Sequence, residues 1–275
     1  MKRKIKEMIK EGRKMEKFLN HTFVICAYKV SPYLEECIKS ILAQSVQSNV
    51  LMVTSTPNEH IEKLAKKYNI KLIINKGKSG IGPDWNFGVS NTNTDYVTVA
   101  HQDDIYNSDY LENIVEKINK KKDFVIAFSD YNELKNGKVI PLTINLKIKK
   151  ILLKPLKINN KSKFLKRIAL RFGSSICCPS VTLNTRILGK TPYKTELKCN
   201  LDWDTWYECT KYKGRFLYID KPLMKHRIHE QSETSNLIEN NVRIKEDYEM
   251  FCKFWPNWFA RIIMKFYKKA INTNG

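Results

Sequence analysis

Three clusters of side chains in this 275-residue chain are of types that do chemistry. In His101-Gln102-Asp103-Asp104, two adjacent carboxylates follow the apolar run 96–100. Hard divalent cations take carboxylate oxygens, and Mg²⁺ or Mn²⁺ is commonly held by one or two of them together with substrate phosphates. Two aspartates in a loop are more often a solvated turn. It is the place of this pair, behind a run that reads as a buried strand, that favours a metal. Asp202-Trp203-Asp204 opens a helical stretch, where acids usually serve as caps that suit the macrodipole. Trp203 and Trp206, three residues apart, add a wall able to desolvate a carboxylate or hold a sugar ring. The third cluster, Lys225-His226-Arg227-Ile228-His229, offers cations or a metal ligand to phosphate, with plain surface solvation as the rival reading.

The elements that must position these clusters alternate. Residues 23–27 read as a buried strand, and Ser31 with Pro32 opens a helix whose Leu34, Cys37, Ile38, Ile41 and Leu42 turn inward. Residues 50–53 form a second strand, and Thr56-Pro57-Asn58-Glu59 has the spacing of a capping box for a helix through Tyr68. Strands at 71–74, 96–100 and 124–128 follow. Between them lie a glycine-rich turn (Gly77, Gly80, Gly82), a short helix at 85–89, and a helix capped by Ser108. This alternation predicts an α/β fold with an open, mostly parallel sheet flanked by helices. Ligands of such sheets bind at the carboxyl ends of the strands, so functional residues are expected just after Ala27, Val53, Ile74 and Ala100. Downstream the pattern loosens to short strands near 181–183, 216–219 and 223–226.

Several classes are excluded. No G-x-G-x-x-G follows the first strand, Gly80-Ile81-Gly82 lacks the third glycine, and no G-x-x-x-x-G-K-[ST] occurs. At 42% hydrophobic and 28% charged residues, without repeats, the chain is neither disordered nor a solenoid. No run approaches the roughly 18 uncharged apolar residues of a membrane span. The first residues lack an apolar h-region and a cleavage site, so a cytoplasmic-type protein is expected. Seven cysteines (Cys26, Cys37, Cys177, Cys178, Cys199, Cys209, Cys252) include no C-x-x-C pair and read as reduced, structural residues.

Along residues 20–235 these parts, in order, resemble the family 2 glycosyltransferases with the glycosyltransferase-A fold. The first strand with Ala27-Tyr28, the glycine-rich turn with Asn86, and His101-Gln102-Asp103-Asp104 at the place of D-x-D-D follow the family's sequence of motifs. Residues 173–180 look like the segment before its acceptor-side strand, and Asp202-Trp203-Asp204 like its E-D motif. Lys213-Gly214-Arg215-Phe216 and His226-Arg227-Ile228-His229 resemble its glycine-led strand and terminal Y-R-x-H. There are departures. Thr54-Ser55-Thr56 stands where the family places an acid for the nucleotide base, His101 replaces the first acid of D-x-D-D, and Leu201 replaces the Glu of E-D. The resemblance implies an inverting, metal-dependent transfer of a sugar from a nucleotide diphosphate-sugar to a hydroxyl of a glycan or lipid-linked acceptor, in cell-surface polysaccharide synthesis. It implies donor contacts from Ala27, Tyr28, Thr54, Asp84, Asn86, Gln102, Asp103 and Arg227. It implies Mn²⁺ or Mg²⁺ on Asp103, Asp104 and His229, with Asp202 as the general base and Arg227 and His229 helping to hold the diphosphate.

The net charge of +21 is unevenly placed. Residues 1–17 carry +5, the acid-free segment 134–195 carries +15, residues 251–275 carry +5, and the rest nets −4. A lysine-rich coding bias would also have enriched 18–133, where acids outnumber bases. An anionic partner is the better account. Phe251, Phe254, Trp255, Trp258, Phe259, Ile262, Ile263 and Phe266 recur at helical spacing among basic residues, and Ile5, Met8, Ile9 and Met15 make a weaker stripe. Either these helices dock on the core or they lie on an anionic membrane surface. Hence the expected organisation: a basic amphipathic helix over 1–19, a catalytic domain over 20–235, and C-terminal helices over 236–275. Within the domain, 20–130 would bind the nucleotide-sugar and 131–235 the acceptor, at the inner face of the cell membrane. Nucleic acid is not an expected partner, since the aromatics form one stripe rather than a stacking platform. Two rivals remain. A sugar-nucleotide pyrophosphorylase needs a basic glycine-rich loop that residues 28–32 lack, and a non-catalytic basic membrane- or nucleic-acid-binding protein leaves Asp103, Asp104 and Asp202 idle.

Overall fold

In the first strand, neighbouring apolar residues feed opposite faces of a sheet. Phe23 and Ile25 enter one core and Val24 the other, all buried, because strand side chains alternate and both faces are covered. The computed structural model describes residues 16–229 and 242–272. Its first half runs β1 (Glu16–Cys26), α1 (Leu34–Leu42), β2 (Val46–Thr54), α2 (Glu59–Lys67), β3 (Lys71–Ile74), α3 (Ile81–Ser90), β4 (Tyr96–His101), β5 (Ile105–Tyr106), α4 (Tyr110–Lys120) and β6 (Phe124–Lys135). The second half continues with β7 (Lys138–Val139), α5 (Ile144–Leu153), α6 (Pro155–Ile158), α7 (Lys163–Leu170), β8 (Val181–Asn184), α8 (Thr185–Leu188), α9 (Leu201–Cys209) and β9 (Arg215–Ile228). Two further helices, α10 (Val242–Cys252) and α11 (Asn257–Asn272), close the described chain.

The strands form one sheet in the order β3-β2-β1-β4-β8-β6-β9-β5, with β7 on the end of β6. The first four are mutually parallel, as the alternating pattern predicts. The next is not. β8 enters between β4 and β6 and pairs antiparallel to both, so β6 is not a fifth parallel neighbour of β4. The two short strands expected at 216–219 and 223–226 are one long β9, parallel to β6 through register shifts near Asp130. Helix starts also differ from expectation: Asn58, not Thr56, caps α2 by accepting from Ile61 N, and neither Ser31 nor Ser108 caps its helix.

Helices α1, α2 and α4 cover one face of the sheet, while α3, α7, α9, α10 and α11 cover the other. The approach of α3 is closest at Gly88. A Cβ there would lie 2.4 Å from Val24 Cγ1 and 3.2 Å from Val53 Cγ2, so only glycine lets α3 reach the sheet. The C-terminal stripe is split. Phe251, Ala260 and Met264 are buried in the core, whereas Trp258, Ile262 and Phe266 are 66%, 41% and 73% exposed on α11. Residues 16–19, expected as the end of a helix, are strand; the remainder of that N-terminal segment lies outside the described residues. Two cations of the acid-free segment are taken up by backbone carbonyls: the buried Lys166 donates to Gly214 O, and Lys190 to Thr92 O and Thr94 O. No helix among the described residues is long and apolar enough to cross a membrane.

Candidate active site at the carboxyl edge of the sheet

The loops that leave β1, β2 and β4 are fastened to one another. Gln102 Oε1 accepts from Tyr28 N at 2.9 Å and its Nε2 donates to Tyr28 O at 3.0 Å, joining the ends of β1 and β4. Ala27, buried, donates its N–H to Val53 O, and Tyr28 stays exposed beside it. Thr54 is buried and its hydroxyl accepts from Thr56 N, so it shapes the turn after β2 rather than facing a ligand. Asp84, in the first turn of α3, accepts from Ser55 Oγ and from Asn75 Nδ2, each at 2.7 Å. Asn86 exchanges two 2.9 Å hydrogen bonds with the backbone of Tyr193. Both ends of its amide are used, which makes it a fastener for the 193 segment.

The two aspartates after β4 part company. Asp104 is fully buried, and its Oδ1 accepts from His226 Nδ1 at 3.0 Å and from Arg227 N at 2.9 Å. This locks the end of β4 onto β9. Its Oδ2 is buried without a hydrogen-bond partner, 3.8 Å from His101 Nδ1. Asp103 turns the other way, its Oδ2 3.0 Å from His229 Nε2. Burial opposes ionisation of Asp103, yet the His229 hydrogen bond and the His101 and His226 charges hold its carboxyl below the usual range. Burial alone would lower His226; the Asp104 and Asp103 carboxylates outweigh it and hold that imidazole above its ordinary value. Arg227 is buried, with its Nε on Asp103 O at 2.9 Å, its Nη2 on Glu36, and its guanidinium 4.3 Å from the Tyr33 ring centroid. As placed, it braces the Asp103 loop rather than reaching for a diphosphate.

His101, a departure in the motif, stands in the middle of this group. Its ring stacks on Trp85 at 4.9 Å, and one donor atom each from His101, Asp103 and Asp104 lie within 4.8 Å of one another. Carboxylate oxygens beside an imidazole, with a buried oxygen lacking any partner, are a donor set that fits a divalent cation.

Asp202 lies in the first turn of α9. Its Oδ1 accepts from Trp203 N at 2.6 Å and its Oδ2 from Ser174 Oγ at 3.2 Å. Burial raises its pKa above the usual carboxylate range, against those hydrogen bonds and the cations Lys149 and Arg243. Its charge reaches both His101 and Cys177, and Cys177 is also acted on by Asp104. Asp202 and the Asp103–Asp104 pair thus act electrostatically on the same groups, His101 among them. Trp203 and Trp206 do not line the site. Both are buried in the core, with Trp203 Nε1 donating to Leu170 O, and they back α9 instead of walling a sugar.

Sequence patterns gave no signal for the residue that sets α9. Glu246 of α10 accepts from Lys198 N and Cys199 N at 2.8 Å and from Asn200 N at 3.0 Å, while Asn200 Nδ2 donates to Asp247 at 2.7 Å. The C-terminal region, for which the sequence left core docking and a membrane surface both open, thus holds the backbone immediately ahead of Asp202.

A parallel half whose sheet continues, through an antiparallel strand, into a mixed half is the glycosyltransferase-A architecture. The chain belongs to glycosyl transferase family 2, whose family profile matches residues 22–188. It is 27% identical over 251 residues to an uncharacterised glycosyltransferase of Rickettsia typhi, covering 88% of this chain and 72% of that one. Against one of Methanocaldococcus jannaschii it is 26% identical over 204 residues, covering 71% and 66%. In fold it is similar to Staphylococcus aureus TarS 1–349 in complex with UDP-GlcNAc, with TM-score 0.60 and 16% identity over 90% of this chain and 70% of that one. The mannosyltransferase PcManGT from Pyrobaculum calidifontis, in complex with GDP-Man and Mn²⁺, gives TM-score 0.60 and 12% identity, over 94% and 75%.

Proposed function

We propose that this glycosyltransferase transfers a sugar, with inversion, from a nucleotide diphosphate-sugar to a hydroxyl of a phosphate-bearing, lipid-linked glycan acceptor at the inner membrane face. The observation that carries the reading is the pair of carboxylate environments: Asp103, held ionised by His229, and Asp202, desolvated on the acceptor side. The loops at Tyr28, Asp84 and Gln102 border the donor, with Ala27 and Thr54 supporting them from below. Asp103, Asp104 and His229 would hold Mn²⁺ or Mg²⁺, which would offset charge on the departing diphosphate.

The chain's own groups do the proton work. Asp202 takes the proton from the acceptor hydroxyl as that oxygen bonds to the anomeric carbon. The anomeric carbon–oxygen bond breaks, its electron pair leaves with the nucleoside diphosphate, and one displacement inverts the centre. A second nucleophilic carboxylate is not required. The basic α5–α7 segment and the exposed Trp258, Ile262 and Phe266 beside Arg261 and Lys265 favour an acceptor presented at an anionic lipid surface.

The test is release of nucleoside diphosphate from UDP- and GDP-sugars with Mn²⁺ and a membrane-extract acceptor. Asp202→Asn should keep donor binding but lower transfer roughly 10²–10⁴-fold, the usual worth of a positioned base. Transfer near the wild-type rate would reduce Asp202 to a helix cap.

A further inference from the structure

We propose that Lys149 of α5 reads the phosphate of the acceptor, holding it as a point charge beside the hydroxyl that Asp202 activates. The proposal rests on the reading of Asp202 as the acceptor-side base and adds a specificity-determining residue to it. Its basis is that α5 is turned inside out. Leu146, Lys149 and Leu153, at i, i+3 and i+7, form the stripe that faces β6, so a lysine stands where an amphipathic helix carries an apolar residue. The isoleucines point the other way: Ile144, Ile148 and Ile151, at i, i+4 and i+7, are 76%, 50% and 58% exposed.

Lys149 is not taken up as the other cations of its segment are. Lys150, next in the chain, pairs with Asp130 at 3.0 Å, and Lys166 and Lys190 donate to backbone carbonyls. Among the described residues, Lys149 Nζ has one hydrogen-bond partner, Tyr131 Oη at 3.0 Å, and no carboxylate within ion-pair distance. An ammonium carries three donors, so two are left for a ligand. Burial works against the charge, but the Tyr131 oxygen holds the Lys149 pKa above its ordinary value, so the cation persists. A half-buried charge without a counter-ion is costly, and an anionic ligand removes that cost.

Its place lies between the two carboxylate environments. Lys149 lines a small cavity with Ser129, Tyr131 and Ser175, and Ser174, one residue earlier, donates its hydroxyl to Asp202. On the other side, the Tyr131 ring stands edge-on to His226 with centroids 6.0 Å apart, and His226 is bound to Asp104. The charge of Lys149 is felt by Asp202 and by His226. Arg243, which also acts on Asp202, already faces Asp247, its Nε 3.7 Å from Oδ2. The outward isoleucines favour a lipid-borne phosphate over a soluble one. With no acid from 134 to 195, an exposed apolar stripe flanked by the exposed Lys147 and Lys154 suits the headgroup level of a bilayer. There α5 stands between the lipid and the Asp202 pocket, and a phosphate at the head of a lipid-linked acceptor meets its inner face.

Two measurements on the full chain test this. Calorimetry compares dodecyl phosphate, below its micelle concentration, with dodecyl glucoside, which has the same chain and no charge. Lys149→Met keeps the stem and loses the charge; it should weaken dodecyl phosphate at least roughly 10-fold, the loss expected of a hydrogen bond to a charged group, and leave the glucoside unchanged. Lys149→Arg should restore most of the affinity, and Lys147→Met, which removes a charge from the solvent side of α5, should change it little. In transfer to the membrane-extract acceptor, Lys149→Met should raise acceptor KM by a similar factor, with donor KM and UDP or GDP binding near wild type. Lys149→Gln serves equally if the methionine variant fails to fold. No preference of the wild type for dodecyl phosphate, an affinity unmoved by loss of the Lys149 charge, or an equal loss in Lys147→Met overturns the proposal. Weakened UDP or GDP binding overturns it too, by moving Lys149 to the donor diphosphate. Transfer unaffected by Asp202→Asn removes the reading of Asp202 instead, and the calorimetry then decides the lipid-phosphate site of Lys149 by itself.

Discussion

Glu246 is the most informative side chain to remove, because it ties a helix outside the nucleotide-binding half to the backbone that carries Asp202. One oxygen receives Cys199 N–H and Asn200 N–H, the other Lys198 N–H. Glutamine keeps one oxygen for the first pair and presents its NH₂ to Lys198. Lys198 is exposed, so its N–H can turn to water. The loss for Glu246→Gln is then one hydrogen bond and the charge assistance of two others, about 1–2 kcal/mol. At roughly 2–4 °C per kcal/mol for a chain of this size, the melting temperature should fall by about 2–8 °C. Alanine removes the carboxylate that accepts from the Cys199 and Asn200 N–H groups, and at about 1–3 kcal/mol each the cost rises to about 2–6 kcal/mol. Catalysis should respond separately. A shift of the α9 start by an ångström misplaces the base and can cost on the order of 10²-fold in kcat, while donor KM stays near wild type because no donor loop touches Glu246. Thermal melts and steady-state kinetics on both variants check this. If Glu246→Ala melts within about 1 °C of wild type, well inside the expected loss, or if donor KM changes and kcat does not, the anchoring role is wrong.

The raised pKa of Asp202 sets the sign of two pH effects. Activity requires the ionised base, so kcat should fall as pH drops through a value above the ordinary 3.8, and that acid limb should vanish in Asp202→Asn. The folded protein binds this proton more tightly than the unfolded chain, so Asp202 adds stability below its folded pKa and subtracts it above; Asp202→Asn should melt no lower than wild type at pH 7. Asp103→Ala should abolish Mn²⁺-dependent thermal protection by UDP or GDP while leaving the melting curve of the free protein cooperative; unchanged protection would remove Asp103 from the cation site. Gly88→Ala forces a Cβ into Val24 and should cost about 1–3 kcal/mol, with partial rescue by Val24→Ala; a neutral Gly88→Ala would mean α3 can retreat from the sheet. Co-sedimentation with anionic liposomes should weaken in Trp258→Ser/Phe266→Ser, which leaves Ala260 and Met264 of α11 in the core; equal binding by the variant would move the contact to the basic segment 134–195.

Up to residue 101 the sequence was sufficient for the parallel half, since strands covered on both faces must read as short apolar runs and their crossovers as amphipathic helices. It also placed Asp103 in the loop at the carboxyl end of β4, where sheets of this kind carry ligand-facing residues, whereas Asp202 opens a helix of the mixed half. What it did not contain was which polar group meets which. Asp104 is joined to His226, Asn86 to Tyr193, Arg227 to Glu36 and Glu246 to Asn200, across separations of 122, 107, 191 and 46 residues. Periodicity reports which face a residue occupies, not the partner that the packed sheet brings opposite it. For the same reason the antiparallel entry of β8 beside β4 was invisible: four residues of buried strand look alike in either direction, and only the sheet's register fixes the choice. The residue types at the edge were set by the chain. Their division into Asp103 facing His229, Asp104 locking β9, and tryptophans filling the core was decided by burial, where a donor or acceptor left without a partner is costly.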